Sequence, residues 1–96
     1  MRGWLPAALA CAMLQAGMAA AAEPPGVAAC SGCHALSKAV ETPVPRLNGR
    51  SAEELTTAML EIKTGKRPST VMGRLAKGYT DEEIAAISAW FAAQKD

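Results

Sequence analysis

The sequence predicts a small all-α domain of three to four helices. Two capping boxes, beginning at Ser51 and Thr80, each precede a run whose apolar residues recur every three or four positions, which is typical of an amphipathic helix. Segments containing proline and glycine separate the runs, and no alternating β-branched pattern of useful length appears. The 96 residues are enough for one domain only.

Proline and glycine residues set the boundaries of the elements. A Pro-Pro-Gly run at residues 24–26 precedes the first helix, and prolines in residues 41–50 exclude a helix there. Gly65 and Gly78 end the next two helical segments. The predicted helices cover residues 27 to about 39, 52 to 64, and from the cap at Thr80 to about 93, with one or two further helical turns between 68 and 77.

The first 22 residues are predicted to be a signal peptide that is cleaved after Ala22. They contain a single charge near the N-terminus, then an apolar stretch, and they end in small residues that a signal peptidase reads. Export to the periplasm, with no membrane attachment after cleavage, is the expected consequence. An uncleaved anchor and a lipid-modified Cys11 are alternatives, but the apolar stretch is short for either.

The predicted mature chain, residues 23–96, has few large apolar residues to form a core and no net charge. Its nine basic residues balance nine acidic ones, so nothing in its charge favours a nucleic acid partner. Tyr79, Trp90 and Phe91 are its only aromatic residues. A domain of this size is expected to need a disulfide, a metal or a large cofactor to supply buried apolar surface.

A Cys-x-x-Cys-His run at residues 30–34 answers that need, because it is the attachment signature of c-type haem. Cys30 and Cys33 lie about one helical turn apart, so both thiols can add to the vinyl groups of one porphyrin. The adjacent His34 can then bind the iron as an axial ligand. The sequence therefore predicts one covalently attached haem c.

Three other interpretations of the motif are weaker. A disulfide between Cys30 and Cys33 would close a very short loop, and a thioredoxin-like redox pair needs a βαβ context that the sequence lacks. A zinc site needs about four ligands, whereas the mature chain offers these two thiols and the single histidine His34, apart from carboxylates.

The sixth iron ligand is predicted to be Met72. His34 is the only histidine, and the mature chain has two methionines. Met59 belongs to an apolar helical stripe with Leu55 and Ile62, where core packing is the better interpretation. Met72 lies in a less regular segment, from which a thioether can approach the iron opposite His34, and a thioether ligand favours electron transfer over oxygen chemistry.

The chain resembles the class I c-type cytochromes over residues 26–94. The run STVMGRLAKGYT at residues 69–80 is similar to the methionine loop of the cytochrome subunit of flavocytochrome c sulfide dehydrogenase. In that family the loop carries the axial methionine. The Pro-x-Leu-x-Gly-Arg run at residues 45–50 is closer to other small class I cytochromes.

The resemblance implies a class I cytochrome c fold wrapped around the haem, with Cys30 and Cys33 as thioether sites. His34 and Met72 would be the axial ligands, and a backbone carbonyl within residues 43–45 would accept a hydrogen bond from His34 Nδ1. The other implied roles are a haem pocket lined by Leu47, Met59, Val71 and Leu75, a propionate contact from Arg50 or Arg74, and packing of Trp90 or Phe91 across the first helix near Ala28 and Ala29.

The expected function is periplasmic electron transfer, without a catalytic residue in this chain. The resemblance implies a haem subunit that accepts electrons from a flavin-containing sulfide dehydrogenase subunit. A free-standing carrier for another dehydrogenase, such as a sulfite dehydrogenase, or for an oxidase is the alternative. A haem sensor or enzyme would need an open sixth position, which a Met72 ligand removes.

Overall fold

The computed structural model of the protein describes residues 22–95, and within them the fold is all-α, as predicted. It consists of four helices: α1 (Val27–Ser31), α2 (Ala52–Lys63), α3 (Val71–Ala76) and α4 (Asp81–Ala92). None of these four helices is long and apolar enough to cross a membrane. The predicted signal peptide, apart from residue 22, lies outside the described residues.

The two long helices begin as their capping boxes predict. Ser51 Oγ accepts a hydrogen bond from the backbone N–H of Glu54 at 3.1 Å. At α4 both halves of the box form: Thr80 Oγ1 accepts from the N–H of Glu83 at 3.0 Å, and the Glu83 carboxylate accepts from the N–H of Thr80 at 2.8 Å. These contacts satisfy backbone donors that have no partner within the helix. The predicted turns between residues 68 and 77 are α3.

Helix α1 is much shorter than predicted, ending at Ser31 instead of near residue 39. The N–H groups of Cys33 and His34 both donate to the carbonyl of Cys30, at 3.1 and 2.8 Å. This sharing tightens the last turn, after which the backbone leaves the helical path.

Hydrogen bonds from side chains hold the segment that follows α1 in a non-helical form. Ser37 Oγ accepts from the N–H of Ala39 at 3.1 Å, and Asn48 Nδ2 donates to the carbonyl of Leu36 at 3.0 Å. Such contacts compete with the helical backbone pattern. The prediction of a longer helix was wrong because it rested on local patterning, whereas Asn48 lies in a different loop.

The core joins α1, α2 and α4 through Val27, Leu55, Ile87 and Phe91. Trp90 packs partly against this cluster and meets the Phe91 ring edge to face, with centroids 5.1 Å apart. The aromatic pair therefore packs near α1, as predicted.

The crossing of α1 and α4 uses different residues from those predicted. Ala28 and Ala29 are exposed, because the side of α1 that turns towards the core carries Val27. Just before α1, Gly26 has a φ of 102°, and a Cβ there would lie 2.8 Å from the Tyr79 ring and 2.9 Å from Ile87. The glycine is needed both for its backbone conformation and for this close approach.

Candidate haem site

The two cysteines of the motif lie at the end of α1 in different environments. Cys30 is half-buried and packs against the core cluster, whereas Cys33 is exposed. No disulfide joins these two cysteines. Burial raises the pKa of the Cys30 thiol above its ordinary value, because a low-dielectric surrounding disfavours the thiolate. Cys30 therefore lies against the core within α1, and Cys33 follows two residues after the helix ends.

The imidazole of His34 is oriented by the loop that follows. Its Nδ1 lies 2.6 Å from the carbonyl oxygen of Pro45. A carbonyl can only accept a hydrogen bond, so Nδ1 carries the proton and Nε2 is left with a lone pair for a metal. The expected contact with a carbonyl within residues 43–45 is present in the structure, and it is the kind of contact that fixes the orientation of a ligating histidine.

That loop is itself tied to the rest of the domain. The N–H of Gly49 donates to the carbonyl of Phe91, at the end of α4, at 3.0 Å. Leu47, expected to line the pocket, packs against the core cluster. Together with the bond between Asn48 and Leu36, these contacts hold the loop that carries the Pro45 carbonyl.

Met72 is the second residue of α3 and is partly buried, and Met59 is partly buried in the middle of α2. The structure packs α3 against α2, so the two helices that carry the methionines are in contact. Met72 alone of the two belongs to a short helix between two loops. Arg50 and Arg74, the candidate propionate contacts, are exposed.

Exposed apolar side chains accompany both candidate axial ligands. In the described part of the chain, the large apolar residues with high exposure are Leu36, Val40, Val71 and Leu75, between 43% and 58% exposed. The first two follow the histidine, and the other two flank the methionine. An open cavity of about 610 Å³ lies beside the motif, lined in part by Cys33, Leu36, Val40 and Val44.

These features fit covalently attached haem. Two thiols sit within one turn, an imidazole has its Nδ1 proton held and its Nε2 available, and apolar surface of the kind that binding sites use lies next to both. The donor set expected from the sequence, two thiols with an imidazole and a thioether, has the chemistry of a c-type haem site.

Two contacts at or near the site were missed by sequence reasoning. The side-chain amide of Asn48 donates a hydrogen bond to the Leu36 carbonyl, and the ammonium of Lys63 joins α2 to the start of α4 through Asp81. No local pattern marks either residue, because each acts on a segment more than ten positions away. Of the basic residues in the middle of the chain, Lys63 and Arg67 are engaged in ion pairs with Asp81 and Glu61, at 2.9 and 2.7 Å.

Comparison with known proteins finds relatives that are cytochromes. No protein-family profile matches the chain. It is 47% identical over 62 residues to the cytochrome subunit of sulfide dehydrogenase from Chlorobaculum tepidum, covering 65% of this chain and 56% of the relative. It is 37% identical over 77 residues to cytochrome c4 of Pseudomonas aeruginosa, covering 79% of this chain and 38% of the relative.

A third relative is matched over its whole length. Cytochrome c-554(548) of Halomonas halodenitrificans is 33% identical over 84 residues, which cover 83% of this chain and 100% of the relative. The chain therefore belongs to the class I c-type cytochromes. Like the other cytochromes of this class, it carries covalently bound haem c.

The chain spans only part of two of these relatives, 56% of the sulfide dehydrogenase subunit and 38% of cytochrome c4. The fold and the haem thus follow from the family. The particular electron donor does not.

Proposed function

We propose that Cys30 and Cys33 attach the haem through thioether bonds and that His34 and Met72 bind its iron. When bound, the haem supplies one-electron oxidation and reduction. The chain holds the His34 ring through the Pro45 carbonyl at 2.6 Å, so the imidazole does not reorient when the charge at the site changes. Met72 fills the remaining position and excludes other ligands.

The partner is a flavin-containing sulfide dehydrogenase subunit, from which the haem subunit accepts electrons. The observation that carries this assignment is the 47% identity to a protein named as the cytochrome subunit of sulfide dehydrogenase. The methionine loop at residues 69–80, the segment of the sequence that resembles this family, includes α3. Residues 1–22 act as a cleaved leader and direct the chain to the periplasm.

A free-standing electron carrier is the second candidate. It is favoured by one observation, the match over the whole length of cytochrome c-554(548). A single domain of this kind needs no permanent partner to hold its haem. The two candidates share the haem site and differ only in the protein that supplies electrons.

Purification of the haem-loaded protein from the periplasm of its own cells tests both candidates. A flavin-containing protein that co-purifies, and whose addition lets sulfide reduce the haem, supports the dehydrogenase subunit. The assignment is overturned in favour of the free carrier if the cytochrome purifies alone and its haem stays oxidised when sulfide and the flavin-containing fraction are added. The N-terminal sequence of the purified protein tests cleavage after Ala22.

The ligand assignment has its own test. Met72→Ala is expected to convert the oxidised protein from a low-spin to a high-spin spectrum, because the sixth ligand is removed. Met59→Ala is the matched control, since its side chain is assigned to packing and its loss should leave the spectrum low-spin. The reverse pattern would identify Met59 as the sixth iron ligand.

A further inference from the structure

The ammonium group of Lys63 connects α2 to the segment between α3 and α4. Its Nζ donates to the carbonyl oxygen of Tyr79 at 2.7 Å and to Asp81 Oδ1 at 2.9 Å. These two contacts span 16 and 18 positions in sequence. Lys63 thus binds one short segment, residues 79–81, through two acceptors, a backbone carbonyl and a carboxylate.

The electrostatics of the two helix ends favour this arrangement. Lys63 lies in the last turn of α2 and Asp81 in the first turn of α4, so each charge also interacts favourably with the dipole of its own helix. The Lys63 side chain is 25% exposed and that of Asp81 69%. An ammonium group that is largely shielded from water gains more from two acceptors than an exposed one does.

The segment that Lys63 binds, residues 79–81, follows shortly after the helix that carries Met72. At the end of α3 the N–H of Gly78 donates to the Leu75 carbonyl at 3.0 Å, and that of Tyr79 donates to the Ala76 carbonyl at 3.2 Å. The Tyr79 carbonyl is therefore one hydrogen-bonded turn away from α3. These two hydrogen bonds therefore couple the position of the Tyr79 carbonyl to the C-terminal end of α3.

Helix α3 has few restraints of its own. It is six residues long, its N-cap residue Thr70 makes no side-chain capping bond, and Val71 and Leu75 are exposed. Isolated helices of this length are unstable, so the position of α3 depends on its packing against α2 and on how its ends are held. Lys63 supplies a side-chain restraint at its C-terminal end.

We infer that Lys63 is a positioning residue for the axial methionine, holding α3 so that the Met72 thioether stays at its bonding position. The inference rests on the proposed assignment of Met72 as a ligand. Loss of the Lys63 contacts would let the end of α3 shift and would weaken the thioether bond without removing the methionine.

Binding of imidazole to the oxidised, haem-loaded protein tests this inference, because imidazole must displace the methionine ligand. Lys63→Met keeps most of the side-chain volume and removes both contacts, and we expect imidazole to bind about tenfold more tightly, as loss of one charge-assisted hydrogen bond allows. Lys63→Arg is expected to recover much of the wild-type affinity. Lys66→Met, an equal loss of charge at an exposed lysine nearby, should leave the affinity unchanged.

A second pair of variants separates positioning from general destabilisation. Asp81→Asn removes the ion pair but leaves the bond to the Tyr79 carbonyl, so its effect should fall between wild type and Lys63→Met. Ile87→Val lowers stability from within the core without removing either Lys63 hydrogen bond, and it should not change imidazole affinity at temperatures well below unfolding.

The outcomes distinguish the two proposals. If Lys63→Met binds imidazole like Lys66→Met, or if Ile87→Val increases the affinity as much as Lys63→Met does, the positioning role is overturned. If Met72→Ala itself leaves imidazole affinity and the low-spin spectrum unchanged, the ligand assignment is overturned instead.

Discussion

The two parts of the molecule that carry the proposed axial ligands are built in different ways. The attachment half, residues 26–50, is mostly irregular, and hydrogen bonds from the His34 and Asn48 side chains to backbone carbonyls hold its shape. The methionine half, residues 51–92, contains three helices, of which α2 and α4 are capped by side chains and pack through apolar residues. The proposed histidine ligand is thus held by a loop, whereas the proposed methionine ligand belongs to a helix.

The difference indicates where each half is vulnerable. In the attachment half, a few specific polar contacts define the path of the chain, so their loss is expected to change local structure more than global stability. In the methionine half, stability comes from burial, so loss of apolar volume is expected to reduce the free energy of unfolding most. The following predictions test that division in order of decreasing effect.

The largest loss of stability is expected on substitution of Phe91, which contacts both halves. Its side chain is fully buried and its carbonyl accepts from Gly49 of the attachment half. Phe91→Ala should lower the free energy of unfolding by about 3–5 kcal/mol, through lost burial and a cavity. Trp90→Phe, at the partly buried neighbour, should cost less than about 1.5 kcal/mol. Denaturant titration of the haem-loaded proteins, followed by circular dichroism, measures both, and equal losses would contradict a core centred on Phe91.

Gly26 tests the junction between the halves. Gly26→Ala should cost about 2–4 kcal/mol, because left-handed backbone strain is added to the clash with Tyr79 and Ile87. Gly65→Ala is the matched control: its φ is 84°, but no other atom lies within 4 Å of its Cβ position. It should cost only the strain, about 1–2 kcal/mol. A loss at Gly65 as large as that at Gly26 would show that the close approach contributes nothing.

The same division explains what could be predicted from the sequence. In the methionine half, the caps at Ser51 and Thr80 and the apolar spacing of α4 are local signals, and the structure has the helices where those signals place them. In the attachment half, the Cys-x-x-Cys-His motif predicted the haem chemistry, and the resemblance to class I cytochromes implied the carbonyl partner of His34. The path after α1 was not predicted, because it depends on Asn48, which local patterning cannot connect to Leu36.

Asn48 is expected to have a smaller, local effect. Its Nδ2 donates to the Leu36 carbonyl, while its Oδ1 is buried without a hydrogen-bond partner among residues 22–95. Asn48→Ala therefore loses one hydrogen bond but also removes a group that is costly to bury, and the net loss should be about 0.5–1.5 kcal/mol. Amide hydrogen exchange should accelerate in residues 35–40 and stay unchanged in α4. Uniform acceleration across both halves would contradict a local role.

The smallest effect is expected at the exposed ion pair of the methionine half. Arg67 and Glu61 are joined at 2.7 Å with half or nearly half of each side chain exposed, and the N–H of Arg67 also donates to the Glu61 carbonyl at 3.1 Å. Arg67→Met keeps that backbone bond, so it should lower the free energy of unfolding by less than about 0.5 kcal/mol, an effect that high salt removes. Lys63→Met in the same titration should cost more and respond less to salt, because the Lys63 ammonium is more buried and also holds a carbonyl. If the two variants lose equal stability with equal salt dependence, Lys63 is an ordinary surface charge, and the methionine half is held by apolar packing and caps alone.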